Sequence, residues 1–339
     1  MTYRVEERLL HFKEPAGTSR GVYTTRKIWL VYLSEGDKTG VGECAPLPDL
    51  SCDAMNDEQY GAILNKVCED YCRKGAIDDA FLRDYPSMLF GLETAVRSLH
   101  NSHLLFDTAF SRGEVGIPIN GLVWMGSHEE MLRRMESKLE QGYRCVKLKI
   151  GAIDFEQELD IIKRIRDRFS FHEVELRLDA NGAFPYEEAL YKLELLSQYA
   201  IHSIEQPIKQ GQWAYMAELC RESPLPIALD EELIGVNDPE IKRQMLNIIK
   251  PRYIILKPSL HGGMMGCREW ISIAKDMEIG SWITSALESN IGLNAIAQFA
   301  SDVYGDHITM PQGLGTGQLF TDNIDMGLEI RGDKLWRCL

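Results

Sequence analysis

The 339-residue chain has little that would place it in a membrane or on a nucleic acid. It has no run of about 18 apolar residues, the length that a membrane-spanning helix needs. Its charged start, residues 1–8, has no apolar stretch behind it that would indicate a signal peptide. Positive charge is scarce too, because 37 Lys and Arg stand against 51 Asp and Glu, for a net charge of −14. We therefore expect a cytoplasmic protein with no membrane or nucleic-acid partner.

Cysteine and histidine are too scattered to build a zinc site or a disulfide framework. Cys68 and Cys72 lie four residues apart on a predicted helix, but no nearby His or Cys pair completes a zinc set. The eight cysteines are expected to be reduced thiols of a cytosolic protein. Because the chain is acidic, an anionic small-molecule substrate would need buried lysines or a bound cation. The sequence is compatible with a homo-oligomer.

Short apolar runs, each ending in a charged or polar residue, recur between residues 145 and 285 at steps of 25 to 30 residues. Helical patterns lie between them, and a strand followed by a helix at this period is a βα unit. Further strands are predicted at 119–124 and 307–310, which gives eight strands with a weak last helix. This pattern predicts an α/β barrel of the TIM type, with its active site at the carboxyl ends of the strands. The runs end at Lys149, Asp179, Glu205, Asp230, Lys257 and Ser285.

The first 115 residues follow a different pattern, with alternating strands up to about residue 50 and helices predicted at 58–74 and 86–104. A Gly- and Pro-containing break near residue 115 predicts a domain boundary. We predict an α+β domain at 1–115, a barrel at 116–317 and a tail at 318–339 that rejoins the first domain. Two loops, Pro15–Gly21 and Ala45–Ser51, have the composition of mobile or ligand-facing segments.

Three carboxylates end successive predicted parallel strands: Asp179, Glu205 and Asp230. Side by side they would repel each other unless a cation neutralises them. An all-oxygen ligand set suits Mg²⁺, with Mn²⁺ as a substitute, whereas zinc would be expected to recruit His or Cys. The sequence therefore predicts a magnesium site.

Two lysines share one face of the second barrel strand, since Lys147 and Lys149 are two residues apart. Neighbouring ammonium groups disfavour each other's charged form, so the pair is expected to have a lowered lysine pKa, as a general base requires. Lys257 comes from the opposite side of the barrel. Lysines around a metal suit the removal of a proton α to a metal-bound carboxylate, with an enediolate as intermediate.

Eight segments along nearly the whole chain resemble, in order, those of the enolase superfamily and its muconate-lactonising-type subgroup. This resemblance implies a modified (β/α)7β barrel with an α+β capping domain. The implied activity is the Mg-dependent dehydration of 2-succinyl-6-hydroxy-2,4-cyclohexadiene-1-carboxylate to 2-succinylbenzoate, a lyase step of menaquinone biosynthesis. The segments are 41–48, 146–151, 176–184, 204–208, 228–233, 255–260, 285–292 and 313–320.

The resemblance also implies residue roles. Lys149 would abstract the α-proton and then protonate the departing hydroxyl, with Lys147 assisting. Lys257 would lie over the other ring face as a cation–π partner. Ser285 and the loop containing Gly313 and Gly315 would contact the succinyl arm. The two loops near the amino terminus would close over the site.

Two alternatives use the same barrel. The lysines on opposite faces could instead racemise N-acylamino acids or epimerise dipeptides. The region from His307 to Gly317 has no acidic pair of the kind that dipeptide epimerases use for the substrate amine, which disfavours that variant. The other alternative is a barrel that binds a ligand without turnover, and the intact set of three acids and three lysines disfavours it.

Overall fold

The computed structural model describes residues 1–18 and 21–338, and only the backbone at residues 17 and 18. The strands are β1 Thr2–Thr18, β2 Gly21–Glu35, β3 Lys38–Cys44, β4 Ile117–Pro118, β5 Gly121–Val123, β6 Cys145–Lys149, β7 Glu175–Asp179, β8 Ser203–Glu205, β9 Ile227–Leu229, β10 Tyr253–Leu256, β11 Gly280–Ile283, β12 Leu328–Arg331 and β13 Lys334–Arg337. The helices are α1 Asp57–Lys74, α2 Asp79–Leu82, α3 Pro86–Asn101, α4 His128–Glu140, α5 Phe155–Arg168, α6 Tyr186–Ser197, α7 Trp213–Glu222, α8 Pro239–Ile249, α9 Gly263–Asp276 and α10 Asn290–Tyr304. Short 3₁₀ helices occur at Glu231–Leu233 and Gly315–Gln318. No described helix is long and apolar enough to span a membrane.

Strands β1–β3 and helices α1–α3 form the N-terminal block, an antiparallel sheet in the order β1-β2-β3 with helices packed against it. Helix α1 begins where the Asn56 side chain accepts a hydrogen bond from the Gln59 amide, and it ends at Gly75, whose φ is 70°. Helix α3 lies so close to β3 that a Cβ at Gly42 would come within 1.8 Å of the Gly91 carbonyl oxygen. Helix α3 can pack this closely against β3 only because residue 42 is a glycine, which has no Cβ.

The barrel wall is a parallel sheet in which β5 to β11 follow one another in chain order. One helix follows each strand, α4 after β5 through α10 after β11, and its apolar side packs on the sheet. Central strands such as β7 and β8 are buried on both faces, as expected for a parallel sheet covered by helices. The predicted TIM-type (β/α)7β barrel is confirmed.

The barrel closes through two residues that lie between β5 and β11. Gln312 forms a parallel bridge with Ile119, and Gly313 forms one with Thr284. The Gln312 amide donates to the Pro118 carbonyl at 2.8 Å. These contacts supply the eighth strand position, after which no further barrel helix is described.

The prediction of a final strand at residues 307–310 is wrong, since those residues form no ladder in the described structure. Closure occurs at Gln312 and Gly313, which follow Pro311. Proline has no amide N–H to donate, so the ladder bonds begin only after it. The apolar alternation of 307–310 imitates a strand, because Ile308 packs against the barrel core while its neighbours remain more exposed.

Of the two predicted amino-terminal loops, the described part of the first belongs to strands, and the second is a loop. In the first, residues 15–18 extend β1 and Gly21 begins β2, while residues 19 and 20 lie outside the described residues. The second, residues 45–51, is a connection without strand or helix. Its Leu47 and Leu50 side chains line a cavity at the carboxyl ends of the barrel strands.

The tail returns to both parts of the chain. Strand β13 pairs with β4 at the start of the barrel, where Leu335 lies opposite Ile117. Ahead of this hairpin, the Lys13 amide donates to the Leu319 carbonyl and the Thr321 amide to the His11 carbonyl. The division into 1–115, 116–317 and 318–339 stays a proposal.

Two glutamates of the N-terminal block dock on the amino ends of barrel helices. Glu43 of β3 accepts hydrogen bonds from the Ser289 and Gly292 amides, each at 2.8 Å, where α10 begins. Glu93 of α3 accepts from the Met264 and Met265 amides at the start of α9. Free amides and the helix dipole both favour a carboxylate at such a position.

We predict that Glu43 makes the protein less stable as the pH rises. Its side chain is fully buried, and burial raises its pKa to about 7 from an ordinary value of 4.5. A carboxyl whose pKa is raised by folding stabilises the fold below its unfolded pKa and loses that contribution as the pH passes its folded pKa. Denaturant titrations between about pH 5 and pH 8 should give a loss on the order of 2–3 kcal/mol from this group.

The variant Glu43→Gln should flatten that dependence, because it has no proton to lose. Asp167→Asn, at an exposed position on α5, is the control and should keep the wild-type slope. An equal slope in all three proteins would contradict the assignment to Glu43.

Candidate active site

The strand register brings the predicted acids and lysines together at the carboxyl ends of the barrel strands. Lys149 of β6 lies opposite Asp179 of β7, which in turn lies opposite Glu205 of β8. Asp230 comes one residue after β9, and Lys257 one residue after β10. In an eight-position barrel β6 and β10 are four positions apart, so the lysines of these strands lie on opposite sides.

The two lysines of β6 reach the acids of the next strands. Lys147 Nζ lies 2.9 Å from Asp179 Oδ2 and also donates to Glu205 Oε2. Lys149 Nζ donates to the same Asp179 Oδ2 at 2.9 Å. It makes a second bond, of 2.7 Å, to Asn181 Oδ1. Two ammonium groups thus share one carboxylate oxygen.

Asn181 has a second partner that fixes its amide group. Its Nδ2 donates to Glu231 Oε1 at 2.9 Å, so its Oδ1 is turned towards Lys149. Asn181 has a φ of 45°, and Gln206, directly after Glu205, has a φ of 40°. Non-glycine residues in the left-handed region at strand ends are typical of functional sites, where the surrounding contacts maintain the strain.

On the opposite side, Lys257 Nζ donates to Asp230 Oδ2. The backbone amide of Lys257 donates to His261 Nδ1 at 2.8 Å. Burial lowers the pKa of His261 to about 3, so its ring is neutral and can accept this bond. His261 therefore fixes the turn that carries Lys257.

Burial and the lysines act in opposite directions on the acids. Burial raises the pKa of Asp179, but Lys147 and Lys149 outweigh it and hold that pKa below its usual range. Lys257 does the same for the buried Asp230. The pKa of Glu205 is raised, first by burial and then by the charge of Asp179.

The lowered pKa expected within the lysine pair is not found at Lys147, whose pKa is raised. Burial does lower its pKa, but the charges of Asp179, Glu205 and Asp230 outweigh burial and raise it. The pKa of Lys257 is raised as well, since Asp230 outweighs burial there. The register places Asp179 and Glu205 within hydrogen-bond distance of Lys147, which the spacing of the two lysines along the strand does not show.

The strand ends open into a cavity of about 390 Å³. Ser285, Gly313 and Gly315, the predicted substrate contacts, line it together with Lys147, Lys149 and Lys257. Ser285 Oγ and Thr316 Oγ1 lie 2.6 Å apart, which links the loop after β11 to the loop that closes the barrel. At Gly313 a Cβ would come within 2.1 Å of Thr284 Oγ1, so only glycine fits this wall.

Sequence reasoning missed part of the cavity lining. Arg133 and Arg134 of α4 line it, as do the rings of Trp124 and Trp282. Nothing in the helical pattern of α4 distinguishes these arginines from charges on a solvent-facing helix.

The three acids fit a hard divalent cation in their chemistry. Glu205 Oε1 and Asp230 Oδ1 are buried and have no hydrogen-bond partner among the described residues. A buried carboxylate oxygen without a donor is costly, and a cation would satisfy it. Among residues 1–18 and 21–338, no group of three or more His, Cys, Asp or Glu side chains is arranged so that it could hold a metal ion without rearrangement. Lysine ammonium groups balance the acids instead.

Comparison with known proteins agrees with this geometry. Residues 130–323 match the family "Enolase C-terminal domain-like", and residues 19–99 match "MenC, N-terminal domain". The o-succinylbenzoate synthase of Desulfotalea psychrophila is 44% identical over 99% of this chain and 98% of its own length. The crystal structure of MenC from Desulfotalea psychrophila LSv54 superposes with a TM-score of 0.85 at 40% identity, covering 99% of both chains.

A more distant structure is similar in fold. The dipeptide epimerase of Cytophaga hutchinsonii, solved with Mg and the dipeptide D-Ala-L-Val, gives a TM-score of 0.77 at 20% identity. It covers 98% of this chain and 92% of its own.

The barrel, its cap and the matched family define an enzyme of the enolase superfamily. Within that superfamily, the chain belongs to the o-succinylbenzoate synthase family, because the match to the Desulfotalea enzyme extends over both proteins from end to end.

The metal site can be tested by thermal unfolding. We predict that Mg²⁺ raises the Tm of the wild type, since a ligand of the folded state at about 100 times its Kd adds about 2.7 kcal/mol. Glu205→Gln should abolish this shift because it removes one acid of the set. Asp160→Asn, at an exposed position on α5, should retain it. A full shift in Glu205→Gln would mean that the ion binds elsewhere.

Proposed function

We propose that this protein removes water from 2-succinyl-6-hydroxy-2,4-cyclohexadiene-1-carboxylate to form 2-succinylbenzoate, with Lys149 as the base. The reaction is a carbon–oxygen lyase step of menaquinone biosynthesis. The observation that carries the proposal is the placement of Lys149 and Lys257 on opposite sides of one cavity, with three buried acids between their strands. This arrangement suits removal of a proton next to a carboxylate.

Lys149 is placed to handle the proton in both directions. As the neutral amine, Lys149 takes the proton from the carbon next to the substrate carboxylate and becomes an ammonium group, and the electron pair moves into that carboxylate to give an enediolate. The pair then returns to the ring, the bond to the hydroxyl oxygen breaks, and Lys149 delivers its proton to the departing hydroxide as water. The ring becomes aromatic, and Lys149 is restored.

The other lysines act by charge. Lys147, which is bonded to Asp179 and Glu205, adds positive charge beside the base. Lys257 faces the site from the other side and stabilises the anionic ring as a cation–π partner. Neither lysine needs to exchange a proton with the substrate.

Asp179, Glu205 and Asp230 would hold Mg²⁺, with Mn²⁺ as a substitute. The bound ion supplies a Lewis acid for the substrate carboxylate and its developing charge, and it offsets the charge of the three acids. The buried, unpaired oxygens of Glu205 and Asp230 support this assignment.

The substrate arm is assigned to the far wall of the cavity. Ser285, Gly313 and Gly315 would contact the succinyl group, and the loop with Leu47 and Leu50 covers it from the N-terminal block. The pair Arg133 and Arg134 adds positive charge to a cavity that takes a dianion. We also propose a cytoplasmic location, which the eight unpaired cysteines support.

A substrate comparison separates this function from its alternatives. Pure protein with Mg²⁺ should consume the cyclohexadiene substrate, which is followed by its ultraviolet absorbance. N-succinylamino acids, tested for deuterium exchange at the α-carbon, serve as racemase substrates. Exchange without dehydration would favour a racemase, and inertness towards both would favour a barrel that only binds.

The role of Lys149 predicts a large kinetic effect. Lys149→Ala should lower kcat by at least about 100-fold, since a general base contributes roughly 10²–10⁴-fold. Circular dichroism should show the fold intact, because only one of the two ammonium groups on Asp179 is lost. Lys192→Ala, on the outer helix α6, is the control and should retain activity. A rate for Lys149→Ala within tenfold of the wild type would refute the role.

A further inference from the structure

Arg26 of β2 is buried where the N-terminal block meets the barrel. Only 3% of this residue is exposed, and its hydrogen bonds go to backbone carbonyls. Nε donates to the Leu287 carbonyl at 3.2 Å, and Nη1 donates to the Pro46 carbonyl at 2.5 Å. Nη2 donates to the Ala45 carbonyl. One guanidinium group therefore joins two chain segments from different parts of the fold.

Both segments form walls of the active-site cavity. The cap segment, residues 45–50, contributes Leu47 and Leu50, and the wall loop, residues 285–289, contributes Ser285, Ala286 and Leu287. Leu47 and Ala286 also belong to one small apolar cluster, so the two segments pack against each other. The spacing between these walls sets the width of the cavity on this side.

The wall loop contains a residue in a strained backbone conformation. Leu287 has a φ of 65°, a conformation that non-glycine residues adopt at a cost of about 1–3 kcal/mol. Its carbonyl is the one that accepts from Arg26 Nε. At the end of the loop, the Ser289 amide and hydroxyl both donate to the buried Glu43. Partners in the N-terminal block thus stabilise the strained residue and its neighbour.

The loop is also tied to the segment that carries Lys257. Glu288 accepts from the Ala286 amide at 2.6 Å and from the Ser259 hydroxyl. Ser259 is two residues beyond Lys257. Glu288 makes these bonds from within the barrel, and the positive charge of Arg26, which also acts on Glu288, is kept in Arg26→Lys. The position of Lys257 should therefore survive that change.

We propose that Arg26 is a positioning residue for substrate binding, which fixes the distance between the cap segment and the wall loop. A buried guanidinium is costly unless all its donors are used, and its rigid planar fork sets several directions at once. An ammonium group cannot reproduce this fork. The inference rests on the proposed function, in which the wall loop contacts the succinyl arm, and it assigns Arg26 to binding rather than to proton transfer.

Steady-state kinetics with the cyclohexadiene substrate test the proposal. Arg26→Lys should raise KM by about tenfold or more, because losing charge-assisted hydrogen bonds loosens the wall and tenfold corresponds to about 1.4 kcal/mol. The kcat value should stay within about threefold, since an effect on KM alone reports binding that is equal in ground and transition states. If Arg26→Lys does not fold, Arg26→Gln, which places no charged side chain at this buried position, replaces it in the same assay.

The chain offers a matched control in Arg166 of α5. Its guanidinium also donates to three backbone carbonyls, those of Tyr199, Val174 and Ala200, at 2.7, 2.8 and 3.1 Å. These acceptors lie at the amino ends of the strands, away from the cavity. Arg166→Lys should lower stability and leave KM unchanged. Equal KM increases in both variants would mean general loosening and would overturn the proposal, as would a folded Arg26→Lys with the wild-type KM.

Amide hydrogen exchange tests the same proposal without turnover. The amides of Ala45, Leu47 and residues 285–289 should exchange faster in Arg26→Lys than in the wild type, because local opening becomes easier, and Arg166→Lys should leave them unchanged. Unchanged exchange in Arg26→Lys would refute the positioning role even if the wild type proved inactive on this substrate. An inactive wild type with the expected exchange pattern would refute the proposed function alone.

Discussion

The structure depends on the balance of charge between three buried carboxylates and three lysines at the ends of the barrel strands. Asp179, Glu205 and Asp230 lie where unpaired charge would cost several kcal/mol per ion. The lysines of β6 and the loop after β10 neutralise them through direct contacts. This balance requires the strand register, because a shift by one residue would turn every one of these side chains to the opposite face. The apolar packing of the helices on the sheet maintains that register.

The same balance explains why the cavity suits proton transfer near a metal. A dianionic substrate and a divalent cation carry charges of equal size and opposite sign, so their joint entry adds no net charge to the site. Lysine and acid remain within hydrogen-bond distance of each other, so little reorganisation is needed when charge develops. The general chemistry of the superfamily is therefore a property of the strand ends. The choice among dehydration, racemisation and epimerisation must depend on other parts of the cavity.

Those other parts come from two segments that are distant in the sequence. The cap segment descends from the N-terminal block, and the wall loop follows β11. One is a connection without strand or helix, and the other includes a leucine in the left-handed region. Their mutual support through Arg26 and Glu43 makes the domain interface a part of the substrate site. If Arg26 positions these segments as proposed, substrate choice and the docking of the N-terminal block on the barrel would be coupled.

The sequence by itself determined the barrel class, the strand ends and the six charged residues, because period and alternation are local properties that survive without knowledge of contacts. The tertiary structure decided what depends on contacts between distant residues. It moved barrel closure from residues 307–310 to Gln312 and Gly313 beyond Pro311. It raised the pKa of Lys147, because acids from neighbouring strands outweigh burial. It also revealed Arg26, whose partners are backbone carbonyls, which no side-chain pattern in the sequence can predict.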